Sequence, residues 1–120
     1  MSRFLIHVTH GPEHPTRAAL GFLVAKAAID EGHEVSLFLA GDAVQLLRDE
    51  ILDHLVGLGT GPLRAHYDAI VEGGGHFYLS GMSSKARGVG EEAIAGKPVA
   101  FALPDVLLKL SLESDRTFTY

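Results

Sequence analysis

Two short stretches carry the side chains that could hold or attack a small anionic molecule: His10, Glu13 and Arg17 in one, and Ser80, Ser83 and Arg87 in the other. The arginines supply permanent positive charge. His10 offers ring nitrogens that can hydrogen-bond a ligand, and the serine hydroxyls can bond to a ligand or attack it. Backbone N–H groups at the start of a following helix would add positive potential. All six side chains are expected around one pocket. A Ser80–His10–Asp42 set is the constellation a hydrolase would need, although no G-x-S-x-G elbow surrounds any serine. The structural alternative is that serines ahead of a helix are caps, with Ser83 and Ser84 in that role.

Other strings exclude more than they support. His10-Gly11-Pro12-Glu13-His14 matches H-x-x-E-H. That zinc motif works only on a helix, where residues four apart share a face, and Gly11 and Pro12 break a helix. No metal site is expected. Gly57-Leu58-Gly59-Thr60-Gly61 does not follow a strand and lacks the G-x-G-x-x-G spacing, so no dinucleotide cofactor is expected, nor any other. The chain contains no cysteine, which removes disulfides, thiol catalysis and thiolate metal ligands. His7, in mid-strand, is read as a hydrogen-bonded core or interface residue. His33, His54 and His66 are read as surface or helix-end residues.

The elements that must position these groups follow from the apolar pattern. Residues 3–9, 34–40, 76–80, 97–103 and 116–120 read as strands, with Phe118 and Tyr120 on one face of the last. Helices are expected over 16–31, from Gly41 to about Arg48, onward from Asp49 to Val56, over 63–72, and over 105–113 behind Pro104. Shorter helical turns are expected at 83–88 and 91–95. Strands alternating with helices predict one α/β domain over residues 1–120, a three-layer α/β/α sandwich around a mainly parallel sheet of about five strands. Strand one should lie inside the sheet, because residues 4–8 carry no Pro or Lys to protect an edge. The candidate residues then sit beyond the carboxyl ends of strands one and three, where open α/β sheets bind ligands.

Composition sets further bounds. At 120 residues the chain is one domain large enough to bury a core without staples. Its net charge of −5, with no basic cluster, argues against nucleic acid as a partner. No apolar run approaches the ~20 residues that span a bilayer, and Met1-Ser2-Arg3 leads straight into a strand, so a soluble, cytoplasmic protein away from membranes is expected. Helix 16–31 carries only Lys26 as a charge between Arg17 and Asp30. A helix this apolar is covered on both sides or buried in part against another subunit, and Ala25 and Ala28 are read as outward-facing positions for that contact.

The segment His76-Phe-Tyr-Leu-Ser80-Gly-Met-Ser83-Ser-Lys-Ala-Arg87-Gly88 resembles the signature of the DsrE/DsrF/TusD family of small sulfur-relay and related proteins. Thr9-His10-Gly11-Pro12, Thr16-Arg17-Ala18, Gly32-His33-Glu34-Val35 and Gly41-Asp42-Ala43-Val44 extend the likeness over nearly the whole chain. The resemblance implies a three-layer α/β/α protein that assembles with itself as a trimer or hexamer. In the relay members a cysteine matching Ser80 carries a persulfide, and some have a second matching Ser83. A serine hydroxyl cannot carry a persulfide. The reading is a homo-oligomer that binds a small anionic or sulfur-containing ligand, or a protein partner, without sulfur transfer. The alternatives are a hydrolase or lyase using His10, Ser80 or Arg87, and a non-catalytic subunit of a sulfur-relay hetero-complex.

Overall fold

The computed structural model describes residues 1–120. Its centre is a five-stranded sheet, parallel throughout. In chain order the elements are β1 (Arg3–Val8), α1 (Pro15–Asp30), β2 (Glu34–Leu39), a 3-10 segment (Gly41–Leu47), α2 (Asp49–His54) and a two-rung hairpin β3 (Val56–Gly57)/β4 (Gly61–Pro62). Then come α3 (Leu63–Glu72), β5 (His76–Ser80), α4 (Gly81–Ala86), a 3-10 turn (Glu91–Ala93), β6 (Val99–Ala102), α5 (Pro104–Glu113) and β7 (Arg116–Thr119).

The strand order β6-β5-β2-β1-β7 decides the layers. From β1 through β2 and β5 to β6 the chain steps across the sheet in one direction. Right-handed crossovers then place every intervening helix on one face. Only the last step returns across the whole sheet, from β6 to β7, and the same handedness puts α5 on the opposite face. The outer layers are therefore unequal. Ile6, Val8, Leu37, Leu39, Phe77 and Leu79 join α1, α3 and the 3-10 segment in a core of 22 buried residues. The second face has three buried residues, Leu5, Phe38 and Ala102, under the half-buried Val106, Leu107 and Leu110 of α5.

β1 lies between β2 and β7, inside the sheet as its sequence requires. At its outer neighbour, the Phe118 ring stacks on Phe4 at 5.9 Å with 7° between planes. The apolar character of α1 is met largely within the chain. Ala18, Ala19, Phe22 and Ala25 are fully buried, and Leu23, Val24, Ala28 and Ile29 are half-buried. Ala25 is thus not an outward position: a small side chain lets the helix sit close to its neighbours. His66 is not on the surface either. The glycine-rich hairpin folds back over α3, and the His66 Nε2 meets the Thr60 carbonyl at 2.5 Å. No helix is long and apolar enough to cross a membrane.

Candidate functional site

At the carboxyl ends of β2 and β5, two loops are tied together by hydrogen bonds, and the loop after β1 packs against them. Ser80 ends β5 and caps α4, its Oγ accepting the Ser83 N–H at 3.2 Å. Ser83, one turn on, points back over the sheet, and its Oγ accepts the Gly41 N–H at 2.9 Å. Gly41 can present that N–H because its φ is +58°, a left-handed conformation that suits glycine. Arg87 at the end of α4 donates from Nε to Asp42 Oδ1 at 2.9 Å and from a terminal guanidinium nitrogen to the Ser83 carbonyl at 3.3 Å. Arg48 follows the same pattern, donating to the Gly88 carbonyl at 3.2 Å. The cap is therefore Ser80, not Ser83 or Ser84. Ser84 is 1% exposed and its hydroxyl has no partner in the chain.

The loop after β1 closes the other side. Gly11 lies against the backbone of Asp42 so tightly that a Cβ there would sit 2.1 Å from the Asp42 carbonyl oxygen. Glu13, though exposed, accepts the Gly11 N–H at 2.7 Å. His14 N–H bonds to the Gly11 carbonyl at 3.0 Å, so residues 11–14 form a turn ahead of α1 and the H-x-x-E-H string is not helical. His10 is half-buried, with Nδ1 3.4 Å from Thr9 Oγ1 and its ring edge-on to His14 at 5.3 Å. A cavity of about 300 Å³ opens between Pro12, Glu13, Asp42, Gln45 and Ile51. Arg17 lies exposed in the first turn of α1 and makes no hydrogen bond to the other five residues.

Ser80, Ser83 and Arg87 thus form one bonded group through Gly41 and Asp42, with Glu13 and His10 on the loop across Asp42. Asp42, which the sequence offers as the acid of a hydrolase set and as part of the family likeness at 41–44, stands at the middle. Its carboxylate pairs with Arg87, not with His10. No three His, Cys, Asp or Glu side chains gather in a metal-binding group. Four cationic side chains, Arg17, Arg48, Lys85 and Arg87, come from the first turn of α1 and from the segments flanking this end. The carboxylates of Glu13 and Asp42 lie among them, and Asp42 pairs with Arg87.

Strand order adds a reason to look here. After β6 the chain leaves to the α5 face, whereas after β5 it leaves to the opposite face, where Val89 and Ile94 join the main core. The switch point therefore falls between β5 and β6, at Ser80 and its register partner Ala102. A larger cavity, about 480 Å³, lies instead at the amino ends of the strands, among Arg3, His33, Glu34, Ser36, His76 and Glu113. Size alone does not make it the site: its Arg3 and Glu34 are spent on each other at 2.6 Å, and α1, α3 and α5 end there rather than begin.

Away from the site, one histidine is electrostatically unusual. His7 faces the thinly covered side of the sheet, edge-on to Phe38 at 6.0 Å, and its buried Nε2 has no partner in the chain. Burial without a compensating bond pushes its pKa below the ordinary value. It is packed as expected but not hydrogen-bonded at that nitrogen.

A parallel sheet with helices on both faces, and a serine ending the strand at its switch point, defines a small three-layer α/β protein. The chain matches the DsrE/DsrF-like family over residues 2–120 and belongs to that family. Among solved structures it is similar to the YchN protein of E. coli, with a TM-score of 0.77, 16% sequence identity and 100% of both chains covered. It is also similar to a conserved protein of unknown function from Bacteroides thetaiotaomicron, with a TM-score of 0.69, 12% identity and 99% and 95% of the two chains covered. At these identities the likeness is one of fold. No curated protein sequence matches the chain.

Proposed function

We propose that this protein is a DsrE-family homo-oligomer, a trimer or hexamer in the cytoplasm, that binds a small oxyanion or thio-oxyanion at the carboxyl end of its sheet and does not relay sulfur. The observation that carries this reading is the use of the two serines. Where relay relatives place cysteine, Ser80 caps α4 and Ser83 holds the Gly41 loop. Both hydroxyls are engaged as hydrogen-bond acceptors in building the site. What remains for a ligand is the surrounding charge, above all Arg87, with His10 and Arg17 on the neighbouring loop and helix.

Arg87 is held by Asp42 with more than half of the Asp42 side chain exposed. An exposed pair of this kind is worth little, about 0.2–1 kcal/mol, so an incoming anion can compete for the guanidinium. The forked donor geometry of arginine matches a tetrahedral or planar anion. Titration calorimetry with sulfite, sulfate, thiosulfate and phosphate tests the proposal. Binding of at least one of these, abolished by Arg87→Ala with the fold intact, is the expected result. Equal affinity in wild type and Arg87→Ala would remove the site from consideration.

A further inference from the structure

The second face of the sheet is left unfinished by a single chain. Parallel sheets are normally covered on both sides. Here one ten-residue helix, α5, covers a face five strands wide. Ala100, Thr117 and Thr119 of that face are exposed, and Ser36, Tyr78 and His7 are only half-buried. None of these six carries a permanent charge.

α5 has an apolar outer surface as well as an inner one. Val106, Leu107 and Leu110 pack on the sheet, while Leu108 is 66% exposed and Leu112 87% exposed. Four residues apart, these two leucines lie within about 40° of each other around the helix. Asp105 borders them on one flank, and Lys109 lies further round on the same flank. The charges are placed for self-recognition. If two α5 helices cross antiparallel with Leu108 at the two-fold axis, Lys109 of one chain and Asp105 of the other fall on the same side. They are then about 3 Å apart along the axis, within ion-pair reach. The leucines of both chains fill the space between.

We propose that the outer face of α5 is an isologous, two-fold contact with a second copy of this chain, sealed by Leu108 and Leu112 and registered by Lys109 against the partner's Asp105. The inference rests on the homo-oligomer reading and sharpens it. A trimer has no two-fold axis, whereas a hexamer built from two trimers has three, so the contact requires an even number of chains.

Four experiments test it, all on the full chain. Light scattering coupled to size exclusion should give an even multiple of 12.8 kDa for the wild type. Leu108→Glu with Leu112→Glu should halve that mass, with an unchanged circular dichroism spectrum because both residues are exposed. Lys109→Glu should weaken the assembly at least tenfold in dissociation constant, and adding Asp105→Lys should restore it. The chain has no cysteine of its own, so Leu108→Cys should form a disulfide-linked dimer under mild oxidation. An even-numbered assembly that survives the double Glu variant would overturn the α5 contact while leaving the oligomer reading standing. A trimeric wild type would do the same. A monomeric wild type would overturn both, as would assembly only with a different protein.

Discussion

The Ser83 hydroxyl accepts the backbone N–H of Gly41 across 42 positions of sequence, at 2.9 Å. This bond joins the ends of β5 and β2. Ser83→Ala leaves a partly buried N–H without a partner. The cost should be about 1–3 kcal/mol, seen as a lower urea midpoint at an unchanged slope. Ser83→Thr keeps the acceptor and should recover most of the loss. A Ser83→Ala midpoint equal to the wild type would mean that water replaces the bond without penalty.

Asp42 competes with any ligand for Arg87. Asp42→Asn removes the negative charge and should tighten binding of an anion several-fold, while costing no more than about 1 kcal/mol of stability because the pair is exposed. Calorimetry on Asp42→Asn beside wild type reads this directly. Weaker anion binding in the variant would mean that Asp42 organises the site rather than neutralising it.

Gly11 is where the first loop meets the second. A methyl group there would sit 2.1 Å from the Asp42 carbonyl oxygen, a backbone atom that cannot rotate away. Gly11→Ala should cost at least about 1–3 kcal/mol and displace the loop carrying His10 and Glu13. Urea denaturation measures the first effect, and amide shifts at Asp42 report the second. A variant as stable as wild type would show that the two loops part easily.

The protein should lose stability in mild acid through His7. Its folded-state pKa lies below the ordinary value of about 6.5, so in that window the unfolded chain binds more protons than the native one. Stability is then unaffected by His7 above that value. It falls as pH drops below about 6.5, and levels off once the pH is below the folded-state pKa. His7→Leu should flatten this part of the pH profile and leave the neutral-pH stability similar or higher. An unchanged acid slope in His7→Leu would assign the effect to other groups.

Much of the fold was legible because local pattern determines it. Leu63–Glu72 and His76–Ser80 appear with the boundaries that their amphipathic and apolar runs imply, and β1 sits inside the sheet. The stretch from Gly41 is helical but winds as a 3-10 segment to Leu47. What the sequence did not reveal is long-range. Nothing in Arg116–Thr119 says that it returns across the sheet to pair with β1, so neither the switch point beside Ser80 nor the bare second face could be placed. For the same reason the two exposed leucines of α5 were not legible as an outward surface, whereas in α1 Ala18, Ala19 and Ala25 are buried and Leu20 and Ala27 stay exposed. At the site, residue types marked the right loops. They did not show that the serines bond to backbone amides, or that Asp42 stands between Arg87 and the His10 loop.

The central claim is that an anion binds at the carboxyl end of the sheet, and amide chemical-shift mapping with thiosulfate tests it most directly. On titration the amides of Gly11, Gly41, Asp42, Ser83 and Arg87 should move together with a single dissociation constant, and Arg87→Ala should abolish the movement. Shifts confined to Arg3, His33, Glu34 and His76 around the larger cavity, or no saturable shifts with any of the four anions, would contradict the account.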